Sequence, residues 1–480
     1  MSSDIAESSS LNDSGSAVLG LPPPARRLNF FALVGVIFFT VSGGAYGLEP
    51  LVGTVGPGLA VVLIVLTPLV WSLPIALMVS ELASAMPEEG GYYVWVKRAL
   101  GDFWGVQEGW WTICYTAVDM AIYPVLFVNY LAYFLPTQLA LDENGSASWP
   151  VFLTRWLIAA ALIAVALIIN WQGACAVGRN AVVNIGLVLA PFVLLIIFGL
   201  TREKMIATAM ETVASDLMNN KGTGLLAIGL ATVLWNYCGW DNVSTFAGEV
   251  NDPRRNYPRA LMTALPLTVG AYLLPVLVGV SVTIDANVWS ETAGWPVIAH
   301  LIGGPWLGFL VAVAALISAW SLFNSQLLYV SRLPFVMARD GWLPHALTRV
   351  STRTGVPTTA LIVSCAVSAI FAALPFGKLV VIDILLYAAA LALEFIALIA
   401  LRLREPQMPR PFRVPGGLLV LVLMAIAPMF LAAVVVAASF SDGGVDVRQL
   451  GVVTLAIASG PALYAVRRAT ATRTRGDAKT

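Results

Sequence analysis

The stretch FFTVSGGAYGLEP, from Phe38 to Pro50, places Gly43, Gly44, Gly47 and Pro50 within eight positions of an otherwise apolar run. Glycine and proline both weaken a helix, and a broken helix inside hydrocarbon exposes N–H and C=O groups that must be satisfied by protein or by cargo. A second interruption reads LWNYCGWDNVSTFAGE, from Leu234 to Glu249, with Gly239 at its centre. Paired interruptions in two apolar segments are the sequence pattern of a transporter whose binding site lies where the helices unwind. Taken singly, each glycine cluster also reads as a close helix–helix contact.

The surrounding chain supports a membrane setting. Its 480 residues are 59% apolar and 11% charged, against about 25% charged in a soluble domain, which excludes a soluble globular protein. Lys plus Arg and Asp plus Glu each total 27, so no excess of positive charge points to nucleic acid. Long uncharged gaps such as 50–80, 156–178, 260–284 and 292–331 match the roughly 20 residues that cross a bilayer as a helix. We read twelve spans, at 30–54, 57–86, 103–135, 151–171, 181–201, 222–248, 260–284, 300–330, 357–374, 378–402, 416–439 and 449–468.

With both termini cytoplasmic, 21 of the 27 bases fall on inner segments and six on outer ones, as the positive-inside rule requires. The interruptions then lie in spans one and six, five helices apart. Five is odd, so two related five-helix units are inverted relative to each other. The expected organisation is a disordered cytoplasmic tail over 1–28, a ten-helix core over 29–402 with repeats near 29–201 and 222–402, two peripheral helices over 403–468, and a cytoplasmic tail over 469–480. The loops are short, leaving no catalytic domain. The four cysteines show no paired spacing, two histidines are poorly placed, and no nucleotide or cofactor loop is present, so neither enzyme, metal site nor cofactor is expected.

Four acids lie within the spans as candidates, Glu49, Asp119, Asp241 and Glu394, and no Lys or Arg lies comparably deep. A carboxylate at the membrane centre costs about 2.5–3.5 kcal/mol on the insertion scale, which marks each as a functional candidate. It escapes that cost by taking a proton, by pairing with a protein cation, or by pairing with a cation from outside. Asp119 and Tyr123 share a helix face at i,i+4 spacing. Trp235, Tyr237 and Trp240 flank the second break and Tyr46 lies in the first, where aromatic faces suit ammonium groups and alkyl chains. Glu394 lies nearer the inner end, where Arg402 is a candidate partner, and Glu81 and Glu108 are expected at the interface.

The motif ELASAMPEEGGYYVW, Glu81 to Trp95, and the run from Gly239 through Glu249 to Asn251, Asp252, Pro253, Arg254, Arg255 and Pro258 resemble the amino acid, polyamine and organocation transporter superfamily, over about residues 28–468. The likeness extends to its polyamine uptake group through Ser42, Gly43, Gly44 with Glu49, Asp119 with Tyr123 to Phe127, Ser321 to Gln326, and Ala338 to Pro344. The resemblance implies an all-α inverted-repeat fold of the LeuT type with ten core and two peripheral helices. It implies that Ser42, Gly43 and Gly44 bind substrate through backbone and that Trp235 gates the site. We expect substrate contacts at Ser42, Gly43, Gly44, Tyr46, Glu49, Asp119, Tyr123, Trp235, Gly239, Trp240 and Asp241, and proton coupling at Glu49, Asp241 or Glu394. The expected activity is proton-coupled import of a polyamine or related cationic amine across the plasma membrane; the alternative is an amino acid permease, in which the acids carry protons only.

Overall fold

In a computed structural model of the chain, residues 28–477 are described apart from 140, 142–146, 173, 202–204, 220–225, 290–293, 375 and 442–446. The N-terminal tail expected over 1–28 therefore lies outside the described residues except for Leu28. Among the described residues the structure is helical, with only two isolated β-bridges, Leu28 to Val250 and Val350 to Pro357.

Asn29 starts the first helix, Phe30–Val41, by accepting the Ala32 amide on its side chain at 2.9 Å, the usual way to satisfy an orphan N–H at a helix start. The helix stops where the glycines begin, and Gly44 and Gly47 adopt φ of 87° and 85°, a region open to glycine at little cost. Helix resumes as Glu49–Val55, with an acid in its first turn and Pro50 among its first residues, both favourable at an N-terminus. The sixth apolar segment behaves likewise. Leu226–Asn236 is α-helical, Gly239 turns the chain with φ 90°, and a 3-10 helix runs from Asn242 to Glu249.

Eight helices among the described residues are long and apolar enough to cross a membrane, among them Pro57–Ala85, Asp102–Leu131 and Leu379–Arg404. Within Pro57–Ala85 the turn Pro68–Ser72 widens to π geometry, because Pro68 and Pro74 each lack the amide that an α-turn would use. The expected eighth span, 300–330, is divided: Gly294–Gly303 ends at Gly304, φ 85°, and Pro305–Val330 begins afresh. His300 and Leu301 thus belong to the preceding helix. The segment 202–221 holds a helix of its own, Met205–Asn219, and the last helix runs from Val447 to Asp477, through most of the expected C-terminal tail.

The two interrupted segments occupy the middle of the molecule. Phe30–Val41 packs on Ala174–Leu200, Pro253–Val280 and Pro305–Val330, while Leu226–Asn236 packs on Glu49–Val55 and Phe376–Arg404. Asp102–Leu131 lies along Phe376–Arg404. The last helix lies outside this group, against Asp102–Leu131, where Trp110 donates to Ser459 Oγ at 2.7 Å and Trp111 to the Ile457 carbonyl at 3.2 Å.

Near the ends of Pro57–Ala85 and Phe376–Arg404, Arg402 clamps Glu81 with two hydrogen bonds of 2.5 Å, Arg410 adds an ion pair at 3.1 Å, and the Val414 amide donates at 2.8 Å. Glu81 is wholly buried rather than interfacial. Its burial is offset because three hydrogen-bond donors and a second guanidinium converge on its two oxygens. Arg402 is thereby taken, and does not pair with Glu394.

Candidate functional site

An unwound helix leaves backbone carbonyls without helical partners, and each buried one needs a donor. In the first break these donors are side chains from four different helices. Tyr272 reaches the Val41 carbonyl at 3.4 Å, Ser318 the Gly43 carbonyl, Trp295 the Ala45 carbonyl at 2.7 Å, and Asn236 the Gly47 carbonyl at 3.1 Å. The second break is pressed against the first: a Cβ on Gly239 would stand 2.9 Å from the Thr40 carbonyl oxygen. The one proton of Tyr272 is shared unequally between the Val41 carbonyl and the nearer Asn236 carbonyl at 2.6 Å, so both breaks meet at one hydroxyl.

Between the breaks lies a cavity. Its wall includes Gly43 and Tyr46 from the first break, Trp235 and Gly239 from the second, Asp119 and Tyr123 from Asp102–Leu131, Gln326 from Pro305–Val330, and Asp383 and Tyr387 from Phe376–Arg404. Asp119 is buried, with Tyr123 donating at 2.9 Å and Trp235 Nε1 at 3.0 Å to the same oxygen, Oδ1. The Tyr123 and Trp235 rings stack with centroids 6.1 Å apart. Gln326 Nε2 in turn donates to the Tyr123 hydroxyl and Tyr329 donates to Gln326 Oε1 at 2.7 Å, so a chain of hydrogen bonds fixes the aromatic wall beside the carboxylate.

Asp241 lies at the start of the 3-10 segment, where Tyr387 donates to its Oδ1 at 2.5 Å. Glu394 is within hydrogen-bonding reach of Asp241 and Glu108 lies close to both. All three are buried, and Thr112 donates to Glu108 at 3.1 Å. Glu108 is therefore interior, not interfacial. Asp119, Asp241 and Glu394 form no ion pair with a described residue.

Of the expected contacts, Glu49, Trp240, Ser42, Gly44 and Asp241 do not appear in the cavity wall, and neither does Glu394. Glu49 is buried and accepts Tyr130 Oη at 2.8 Å and the Gly47 amide at 2.8 Å, capping the second half of its own broken helix. Ser42 Oγ accepts the Gly44 amide at 3.2 Å. Of the span-eight polar residues, Ser318 reaches the first break, whereas Ser321 and Asn324 accept from Asn184 at 2.8 Å and Asn170 at 2.7 Å.

Asp383, Tyr115 and Tyr387 reach the site without having been singled out in the sequence, and Gln326, named there only within the family likeness, joins them. Asp383, Tyr387 and Glu394 follow at i, i+4 and i+11 along an apolar helix, one face at 3.6 residues per turn. Glu108, Thr112, Tyr115, Asp119 and Tyr123 make a similar stripe. These two stripes were the available signal.

Residues 28–457 match the family model described as amino acid permease. The chain belongs to the amino acid permease family. Over 449 residues, 93% of this permease and 80% of the relative, it is 35% identical to polyamine transporter PUT1 of Oryza sativa subsp. japonica. Over 444 residues, 92% of this chain and 86% of the relative, it is 33% identical to polyamine transporter RMV1 of Arabidopsis thaliana. A more distant likeness, 28% over 365 residues, covers 72% of the permease and 66% of an aspartate-proton symporter of Bacillus subtilis (strain 168). The permease is thus a membrane transporter and not an enzyme, as its family and these relatives are.

Proposed function

We propose that this permease is a proton-coupled secondary transporter that imports polyamines or related cationic amines across the plasma membrane by alternating access. The observation that carries this reading is the set of buried carboxyls around the two breaks, which no described Lys, Arg or His pairs with. A cargo that brings positive charge offsets the cost of burying them, and a zwitterion brings none in net. Amine groups would meet Asp119 beside the Tyr123 and Trp235 rings, with the alkyl chain along the aromatic wall. Protons would be carried by Asp241 and Glu394, which sit beside the cavity wall and share each other's field; Glu49, already held by Tyr130 and the Gly47 amide, is the weaker candidate.

The same reading includes twelve spans, both termini cytoplasmic, an inverted-repeat core of the LeuT type over 29–402 and two peripheral helices over 403–468. In support, each of the two interrupted segments opens one of the expected repeats, and the final helix packs outside the rest. The family description and the aspartate-proton symporter relative favour a second reading, an amino acid permease using the first break for a carboxylate. Uptake of radiolabelled putrescine into proteoliposomes under an imposed inward proton gradient decides between them. Accumulation that collapses with the gradient is expected; absent putrescine uptake alongside intact transport of a neutral amino acid sinks the polyamine reading.

A further inference from the structure

The two aspartates in the cavity wall differ in what they hold. Asp119 already accepts protein donors, the Tyr123 hydroxyl and Trp235 Nε1, both on Oδ1. Asp383 is 2% exposed, faces the cavity and Asp119, and its Oδ1 has no hydrogen-bond partner. Four side-chain donors lining the same cavity are committed elsewhere. Tyr387 donates to Asp241, Tyr115 to Asn242 at 2.6 Å, Tyr272 to the Asn236 carbonyl, and Asn236 Nδ2 to the Gly47 and Thr232 carbonyls. The titratable groups that share its surroundings are Asp119, Cys238, Tyr123 and Tyr329, and none is a cation.

A buried acceptor left open by its own protein is costly, and its partner has to come from the cavity. We infer that Asp383 is the anchor for a substrate ammonium group, with Asp119 held by its two aromatic donors as the fixed second wall of the same subsite. A primary alkylammonium suits this place because it offers three donors and no acceptor. Placed between Asp383 and Asp119, it satisfies the open oxygen and lies beside the stacked Tyr123 and Trp235 faces. A carboxylate at the same point would face two acids, so this subsite selects the amine end of its cargo. The inference rests on the cationic-amine reading given above and adds to it the residue that sets specificity.

The test is calorimetric titration of the purified full-length protein with 1,3-diaminopropane, putrescine and cadaverine. Asp383→Asn is expected to weaken putrescine by about tenfold or more, the loss of a charge-assisted hydrogen bond. Asp383→Glu keeps the charge but advances it by one methylene, so the preferred diamine shortens by one carbon relative to the parent. That shift in length preference is a readout that a merely structural role would not move, and it remains available where the asparagine variant does not fold. Putrescine binding by Asp383→Asn within about twofold of the parent, or an unchanged length preference in Asp383→Glu, overturns the anchor alone. Failure of the parent protein to bind any of the three diamines overturns the anchor together with the reading beneath it.

Discussion

Replacing Asp119 by asparagine removes a charge while leaving the hydrogen bonds around it nearly intact. Both protein donors, the Tyr123 hydroxyl at 2.9 Å and Trp235 Nε1 at 3.0 Å, converge on Oδ1. An asparagine with its carbonyl oxygen at that position keeps both, and its amide nitrogen takes the place of Oδ2. What is lost is the ion pair with an incoming ammonium. A hydrogen bond to a charged group is worth about 1.5–3 kcal/mol, so affinity for putrescine falls by about 10- to 150-fold. Asp119→Ala does more, since it also leaves the Trp235 and Tyr123 donors unpaired in a buried wall, at about 1–3 kcal/mol each; the alanine variant therefore melts below the asparagine variant. Calorimetric titration reads the affinity and a thermal melt of ligand-free protein reads the stability. Putrescine binding by Asp119→Asn at parental strength, with binding lost only in the alanine variant, would refute the reasoning, because it would make Asp119 a scaffold for Trp235 and Tyr123 and not a charge partner.

Further outcomes follow from other parts of the structure. Gly239→Ala forces a side chain into a left-handed conformation and brings its Cβ to 2.9 Å from the Thr40 carbonyl oxygen; at about 1–2 kcal/mol for the conformation alone, the breaks separate and putrescine uptake in proteoliposomes falls sharply. Glu81→Gln leaves the buried Arg402 and Arg410 without their anion, a loss of about 3–5 kcal/mol, seen as a lower melting temperature while putrescine affinity stays at the parental value. Glu394→Gln removes a carboxyl that faces Asp241, so accumulation driven by a pH gradient is lost while counterflow of labelled putrescine in gradient-free vesicles persists. Loss of both activities would place Glu394 in substrate binding instead.

The breaks were legible because glycine and proline act locally: Gly44, Gly47 and Gly239 take positive φ in the structure at the positions where the sequence halts its apolar helices. Asp119 with Tyr123 was legible for a similar reason, since i,i+4 spacing fixes a shared face before any packing is known. Asp383 was not, because it lies five residues beyond Lys378 near the start of its segment, where an acid reads as interfacial. Its burial comes from how Phe376–Arg404 lies against Asp102–Leu131 and Leu226–Asn236, a tertiary fact. Glu81 and Arg402 show the same limit. Both looked like end-of-helix charges, and only the fold of residues 405–414 back onto Glu81 encloses them.

The four side chains that close the carbonyls of the first break come from Leu226–Asn236, Pro253–Val280, Gly294–Gly303 and Pro305–Val330. The break consequently works as a coincidence detector: it keeps its shape only while four separate helices stand in register. Displacing one helix strands a carbonyl at about 1–3 kcal/mol, and a variant at Asn236, Tyr272, Trp295 or Ser318 disturbs the same few backbone atoms. Combined variants at these positions therefore depart from additivity, although no two of them are neighbours in the chain.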